Sequence, residues 1–90
     1  MLIALIARDK PGHLQTRVDN RAAHLAYIEE TGVVAQAGPL LDQDGEMAGS
    51  LVILDVEDMA AGEAWAAKDP YNKAGLFEAV ELITWKKVIG

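Results

Sequence analysis

Two short segments far apart in the chain carry the residue types of a proton-transfer pair. The segment Arg21-Ala22-Ala23-His24-Leu25 has helical spacing, whereas Asp69-Pro70-Tyr71 is predicted to form a sharp turn. Imidazole titrates near neutral pH, and a carboxylate can fix its tautomer and raise its basicity. A fold that joins the segments would let His24 remove a proton from a small substrate. Asp69 would orient the imidazole and stabilise the imidazolium that forms.

An anion-binding group could stand next to this pair. Arg21 precedes His24 by one helical turn and is a candidate clamp for a carboxylate or phenolate, with Arg17 and Arg8 as secondary candidates. The alternative for Arg21 is a solvated or salt-bridged side chain, because the chain has 14 acidic residues.

Other polar and small residues have structural alternatives as well. Ser50 is the single serine, and no Gly-x-Ser-x-Gly elbow surrounds it, so a structural or pocket-lining role is predicted. Tyr71 either closes one side of a pocket or simply packs after the turn. Gly38 and Gly49 are expected to allow a close backbone approach or a bulge.

Composition limits the class of protein. Ninety residues suffice for one domain, so we predict a single domain over residues 1–90. The net charge of −6 disfavours nucleic acid and anionic membranes as partners, since both select basic surfaces. The chain has no cysteine, which removes thiolate chemistry and suits the cytoplasm, where we expect this protein. No nucleotide-binding glycine motif or metal-type histidine spacing occurs, so no cofactor or metal is expected.

Hydropathy patterns predict six elements in the order β-α-β-β-α-β. The run Leu2–Ala7 is apolar on both faces, so it is expected to be a central strand and not a signal segment. Gly38-Pro39 within the second strand predicts an edge position or a bend, because proline cannot donate to a ladder. The predicted ranges are Leu2–Ala7, Leu14–Thr31, Val33–Leu41, Gly49–Val56, Met59–Lys68 and Phe77–Val88.

The first predicted helix carries two stripes of side chains at helical spacing. The stripe expected to pack in the core consists of Leu14, Val18, Ala22 and Leu25. A second stripe, rotated by about 90°, consists of Arg17, Arg21, His24 and Ile28. His24 is therefore expected beside the buried face. Gly32 is predicted to end this helix, and Asp58 to cap the next one.

The element order matches the ferredoxin-like split βαβ arrangement, an α+β fold with a four-stranded antiparallel sheet. Both helices would cover one face of the sheet. Because the first and third strands are apolar on both sides, the other face needs a partner, and a second copy of the chain is the simplest one. We therefore expect a homodimer with two sheets packed face to face, which can assemble further through edge strands and helix faces.

Four motifs resemble, in order and spacing, those of the YCII-related (YciI-like) family. They are Arg21-x-x-His24-Leu25, Gly38-Pro39, Gly49-Ser50 and Asp69-Pro70-Tyr71-x-x-Ala74-Gly75. The resemblance covers essentially the whole chain. It implies a fold of the dimeric α+β barrel group, with a pocket between the helices and the sheet. It also implies that His24 and Asp69 are the family's catalytic pair, and that the reaction is a small-molecule elimination of the dehydrohalogenase or lyase kind.

Three interpretations of the His-Asp pair remain open at this level. The first is a cofactor-free enzyme that acts by elimination or isomerisation on a small anionic or phenolic molecule. Its candidate substrate-binding residues are Arg21, Ser50, Tyr71, Gly38 and Pro39. The second is a non-catalytic module that binds a small ligand or a partner in the same pocket. The third is a buried structural pair, whose loss would cost about 1–3 kcal/mol by leaving one partner unsatisfied.

Overall fold

The elements follow one another in the predicted order, with one short addition. In a computed structural model that describes residues 1–90, the chain forms β1 (Leu2–Asp9), α1 (Leu14–Thr31), β2 (Val34–Leu41), β3 (Met47–Asp55), α2 (Met59–Lys68), α3 (Pro70–Lys73) and β4 (Phe77–Trp85). The segment predicted as a plain turn at Asp69-Pro70-Tyr71-Asn72 is the start of the single-turn helix α3. Proline suits that first helical position because its fixed φ is helical and its missing N–H is not needed there.

The four strands form one antiparallel sheet in the order β2-β3-β1-β4. Strand β1 is central, as its apolar faces predict, and Leu5 pairs with Val52 on one side and Leu82 on the other. Strand β2 is an edge, so Pro39 is tolerated without loss of an interior ladder bond. The ferredoxin-like α+β prediction is confirmed.

One face of the sheet packs under the helices and holds the core. The buried cluster consists of Ile3, Leu5, Ala7, Val52, Leu54 and Trp65. Two hydrogen bonds tie the long helices together over this cluster: the Tyr27 hydroxyl donates to the Trp65 carbonyl, and Trp65 Nε1 donates to Thr31 Oγ1. These bonds connect α1 to α2 on the helix side of the sheet.

The opposite face of the sheet is apolar and uncovered within the chain. Leu51, Ile83 and Trp85 on this face are 39%, 45% and 40% exposed. The expectation that β1 is covered on both sides therefore holds only for its helix side in a single chain. Apolar area of this kind on a small domain is typical of an interaction surface.

Helix α1 is rotated relative to the prediction. The stripe expected in the core faces solvent, since Leu14, Val18 and Leu25 are 37%, 49% and 50% exposed and Ala22 is exposed too. The buried residues of α1 are Arg17 and His24. Periodicity separates the stripes but does not say which one meets the sheet, and here the polar stripe is buried because its groups find partners there.

The local signals at the element ends are mostly confirmed. Asp58 caps α2 by accepting a hydrogen bond from Ala61 N at 2.8 Å, and Gly32 ends α1 with φ 65°. A side chain at Gly49 would collide with the carbonyl oxygen of Ala7, so the predicted close approach is present there. The same prediction is wrong for Gly38, where an added Cβ would meet open space.

Candidate functional site

The predicted His-Asp pair is brought together where α1 meets the start of α3. His24 Nδ1 lies 2.8 Å from Asp69 Oδ1, although the two residues are 45 positions apart. Asp69 also caps α3, because the same oxygen accepts the backbone N–H of Tyr71 at 3.0 Å. The side chains are buried, with His24 6% and Asp69 1% exposed. The turn-capping and imidazole-orienting roles of Asp69 are therefore compatible in one conformation.

The second nitrogen of His24 is open to a pocket. Nε2 has no hydrogen-bond partner in the chain, and no fully buried side-chain nitrogen or oxygen lacks one. Nε2 therefore has accessible surface, and His24 lines the pocket between α1 and the sheet. When Nδ1 donates to the carboxylate, a neutral imidazole carries its free lone pair on Nε2, the nitrogen that a ligand can reach.

The Tyr71 ring contacts three side chains of the site. It lies parallel to the His24 imidazole, with centroids 3.9 Å apart and 15° between the planes. The Arg17 guanidinium carbon lies 4.7 Å from the Tyr71 ring centroid. Phe77 contacts the same ring edge-on at 6.0 Å. The imidazole is therefore fixed by a carboxylate at one edge and by an aromatic plane on one face.

Arg17 is a fixed wall of the site. Its Nε and Nη2 donate to the two carboxylate oxygens of Asp9 at 2.7 and 2.8 Å, and Nη2 also donates to Ser50 Oγ at 2.9 Å. Burial alone would lower the pKa of Arg17, but the hydrogen bonds and charge of Asp9, together with a smaller contribution from Tyr71, hold the pKa above its ordinary value. The sequence predicts Arg17 only as a secondary anion clamp and gives no signal for its partner Asp9.

Arg21 is the available cation. It is exposed, it lines the pocket, and it takes part in none of the ion pairs of the chain. Its guanidinium can therefore form hydrogen bonds with an anionic ligand without breaking an existing pair. Arg17 and His24, which are seven positions apart, point inward on the same stripe, whereas Arg21 lies at its outer edge.

The pocket is small and mixed in character, with a volume of about 160 Å³. Its lining is Arg17, Arg21, His24, Leu25, Ile28, Ala37, Gly38, Pro39, Met47, Ser50, Val52 and Tyr71. All the predicted substrate-binding residues are in this set, and Asp69 stands behind His24 without lining the pocket. An engineered cavity of about 150 Å³ in another protein binds benzene, so the volume suits a single six-membered ring.

Tyr71 lines the pocket as a protonated phenol. Burial raises the pKa of Tyr71 above its ordinary value, although the charges of Arg17 and Arg21 oppose the shift. The hydroxyl therefore stays protonated at neutral pH.

No group of three or more His, Cys, Asp or Glu side chains is arranged to hold a metal ion. No helix is apolar enough over a sufficient length to cross a membrane.

Fold and site together define the class: a ferredoxin-like α+β domain with a hydrogen-bonded His-Asp pair behind a ring-sized pocket. The sequence model of the YCII-related domain matches residues 1–86. The chain belongs to the YCII-related family, as its motifs predict. Protein YciI of Escherichia coli O6:H1 is 37% identical over 97 residues, covering 98% of this chain and 99% of that protein. A Haemophilus influenzae protein is 32% identical over 97 residues, which cover 98% of this chain and 99% of that protein.

A solved structure gives a closer comparison. The 5-chloro-2-hydroxyhydroquinone dehydrochlorinase TftG of Burkholderia phenoliruptrix AC1100, in complex with 2,5-dihydroxybenzoquinone, is 39% identical, with a TM-score of 0.87 over 96% of this chain and 94% of that one. An antibiotic biosynthesis monooxygenase, 12% identical with a TM-score of 0.61 over 99% of this chain and 100% of that one, shares the fold alone. The fold is that of the dimeric α+β barrel proteins.

Proposed function

We propose that this protein is a cofactor-free, lyase-type enzyme that eliminates a small anion from a single-ring phenolic or similarly acidic molecule. The observation that carries the proposal is the 2.8 Å hydrogen bond between His24 Nδ1 and Asp69, with Nε2 open to the pocket. The dehydrochlorinase activity named for a relative at 39% identity gives it independent support. Loss of HCl from a chlorinated hydroxyhydroquinone is a reaction of this kind.

In the proposed reaction, His24 is the general base and Asp69 orients it. Nε2 accepts a proton from a C–H or O–H bond of the substrate, and the electron pair of that bond moves into a new π bond. The leaving group departs with its own bonding pair as an anion, so the substrate loses HX in total. Asp69 stabilises the imidazolium that forms. Proton abstraction by a positioned side chain contributes about 10²–10⁴-fold, which suffices for a substrate that is already acidic.

The remaining pocket residues bind and orient the substrate in this proposal. Arg21 pairs with a phenolate or carboxylate oxygen, and the Tyr71 hydroxyl donates a hydrogen bond to a second oxygen. Ser50 is held by Arg17 and presents its hydroxyl to the ligand. Gly38 and Pro39 form the wall opposite α1, where the backbone of β2 contacts one face of the ring.

Chloride release from 5-chloro-2-hydroxyhydroquinone tests the proposal. We expect turnover by the native chain, and a drop of about 10²–10⁴-fold in kcat for His24→Gln and for Asp69→Asn. The matched control is His13→Gln, because the chain has one other histidine and it is bonded in a loop to the Pro11 carbonyl. That variant should keep full turnover.

Ligand binding separates this enzyme from a non-catalytic module. The affinity for 2,5-dihydroxybenzoquinone should change little in His24→Gln and Asp69→Asn, because Arg21 and Tyr71 still bind the ring. Unchanged kcat in both variants would overturn the assignment of the base. Absence of turnover with any acidic ring compound, together with a parallel loss of affinity in both variants, would favour a binding module instead.

We also propose that the functional unit is a homodimer. The uncovered sheet face, which includes Leu51, Ile83 and Trp85, is apolar and partly exposed, and a second copy would bury it symmetrically. The pocket lies on the helix side of the sheet, so substrate could reach it in such an assembly.

A further inference from the structure

A second pocket lies on the far side of the His-Asp pair. It has a volume of about 240 Å³ and lies between α2, α3 and β4. Its apolar floor includes Leu5, Phe77 and Leu82, and its polar groups are Glu63, Asp69 and Asn72. Asp69 therefore lies between two pockets. His24 separates Asp69 from the first pocket, whereas Asp69 itself lines the second.

The carboxylate of Asp69 has one oxygen without a partner. Both of its side-chain hydrogen bonds, from His24 and from the Tyr71 N–H, end on Oδ1. Asp69 is 1% exposed, yet the chain contains no fully buried side-chain oxygen that lacks a hydrogen bond. Oδ2 must therefore retain a small accessible area. Asp69 lines the second pocket and not the first, so a ligand can approach its carboxylate from the second pocket.

The lining of the second pocket is acidic. It contains two carboxylates and one amide, and no lysine, arginine or histidine. The first pocket has the opposite character, with two arginines in its wall. A buried carboxylate oxygen forms its strongest hydrogen bonds with charged donors, and an apolar floor favours a hydrocarbon body. A ligand with an ammonium head and a short alkyl or single-ring body satisfies both conditions.

We propose that this second pocket binds small organic ammonium ions, whose N–H group donates to Asp69 Oδ2 while the hydrocarbon part packs on Phe77 and Leu82. A bound cation draws charge from the carboxylate and weakens its hydrogen bond to His24 Nδ1. Occupancy of the second pocket consequently lowers turnover at the first. This last step rests on the proposed function, whereas the binding itself does not.

Binding is tested on the full native chain by NMR titration with benzylammonium, with no substrate present. We expect saturable shifts at Asn72, Phe77 and Leu82, and a change in the resonance of the proton shared by His24 Nδ1 and Asp69. Benzyl alcohol, the neutral analogue, should bind about tenfold more weakly or worse, because it lacks the charge-assisted hydrogen bond. Phenylacetate should leave the second pocket unperturbed.

Variants locate the site. Ala67 is an exposed residue of α2 that lines the second pocket. Ala67→Leu fills part of that pocket with a larger side chain and should abolish binding. Glu63→Gln should weaken benzylammonium up to about fivefold, as expected for one exposed charge. Its matched control, Glu29→Gln, removes the same charge on α1, away from both pockets, and should have no effect. Equal affinity for benzylammonium and benzyl alcohol, or equal effects of the two glutamate variants, would overturn the proposal.

The ligand series and the glutamate variants do not depend on how well Ala67→Leu folds. The binding test is also separate from the test of function. Saturable binding by a chain without turnover would contradict the lyase proposal alone, whereas turnover that benzylammonium leaves unchanged, with no NMR shifts, would contradict the second pocket alone.

Discussion

Arg17 shows how a charged residue becomes part of a core. Its guanidinium is nearly excluded from solvent, yet three hydrogen bonds and one aromatic ring surround it. Its charge is neutralised by Asp9, so it offers a substrate little net attraction. Its contribution to the site is positional: it donates a hydrogen bond to the Ser50 hydroxyl and packs against the Tyr71 ring.

The Arg17–Asp9 pair predicts strong coupling in a double-mutant cycle. Arg17→Gln leaves the buried Asp9 carboxylate unpaired and should destabilise the chain by about 3–5 kcal/mol. Adding Asp9→Asn removes the uncompensated charge, so the double variant should be more stable than the sum of the two single changes implies, by more than about 1 kcal/mol. Urea unfolding at neutral pH measures all four chains. Additive effects would show that the pair is not coupled.

The two tyrosines predict a loss of stability at alkaline pH. Burial raises the pKa of Tyr71, against the charges of Arg17 and Arg21, and it also raises the pKa of Tyr27, together with Asp69 and Glu30. The unfolded chain loses these protons near pH 10, about the ordinary tyrosine value, before the folded chain does. Stability is thus unaffected below about pH 10 and falls as pH rises through the folded-state values.

Spectrophotometric titration of the phenolate checks this prediction. The native protein should ionise its tyrosines at higher pH than the protein in denaturant, and Tyr27→Phe and Tyr71→Phe assign the two transitions. Coincident titration curves in the native and unfolded chains would contradict the shifts.

At the scale of elements, α1 has its polar stripe inside. A helix on a sheet usually buries its apolar face, but here the sheet beneath α1 offers Asp9 and Ser50, and α3 offers Asp69. These partners satisfy Arg17 and the Nδ1 edge of His24, so no fully buried side-chain nitrogen or oxygen is left without a hydrogen bond. The pocket exists because this face does not close on the sheet with packed aliphatic side chains.

Two matched valine substitutions test the orientation of α1. Val18 on α1 is half exposed, whereas Val52 on β3 is buried in the core. Val18→Ala should change the free energy of unfolding by less than about 0.5 kcal/mol. Val52→Ala should cost about 2 kcal/mol, because it removes two buried methyl groups and leaves a cavity. Similar costs at the two positions would mean that Val18 packs in the core.

The sequence predicts the elements of this fold better than the faces that they present. Strand β1, the edge position of β2 and the Asp58 cap follow from local composition, and each is confirmed. The solvent-facing stripe of α1 was not predictable from hydrophobic periodicity. That pattern carries no information on Asp9, Ser50 and Asp69, which lie beneath the other stripe. The pairing of His24 with Asp69 was predicted from their residue types, and the family resemblance supported it. Asp9 was missed because nothing in the local sequence pairs it with Arg17, which was predicted as a secondary anion clamp and lies eight positions away.

At the scale of the molecule, the two faces of the sheet differ in how they are covered. The helices cover one face and leave two pockets along it. No part of the chain covers the other, although Ala4 and Ile53 lie nearly buried among its side chains. A dimer through this face would keep both pockets on the outside.

Sedimentation tests the proposed dimer. We expect the native chain to sediment as a dimer at micromolar concentration, and Ile83→Asp to shift it to a monomer by placing a charge on the apolar sheet face. Val18→Asp, which introduces the same charge at a half-exposed position on α1, should remain dimeric. A native chain that sediments as a stable monomer would contradict the proposal.

The long-range contacts of the site also affect how the protein matures. The bonds from Arg17 to Ser50 and from His24 to Asp69 join positions 33 and 45 residues apart. Such contacts form late, because closing a long loop costs entropy before the contact is made. A chain still short of Tyr71 on the ribosome lacks one residue of the pocket wall and, before Asp69 is added, the carboxylate bonded to His24. Regain of turnover after refolding should therefore lag behind regain of helix signal, and activity reports completed folding.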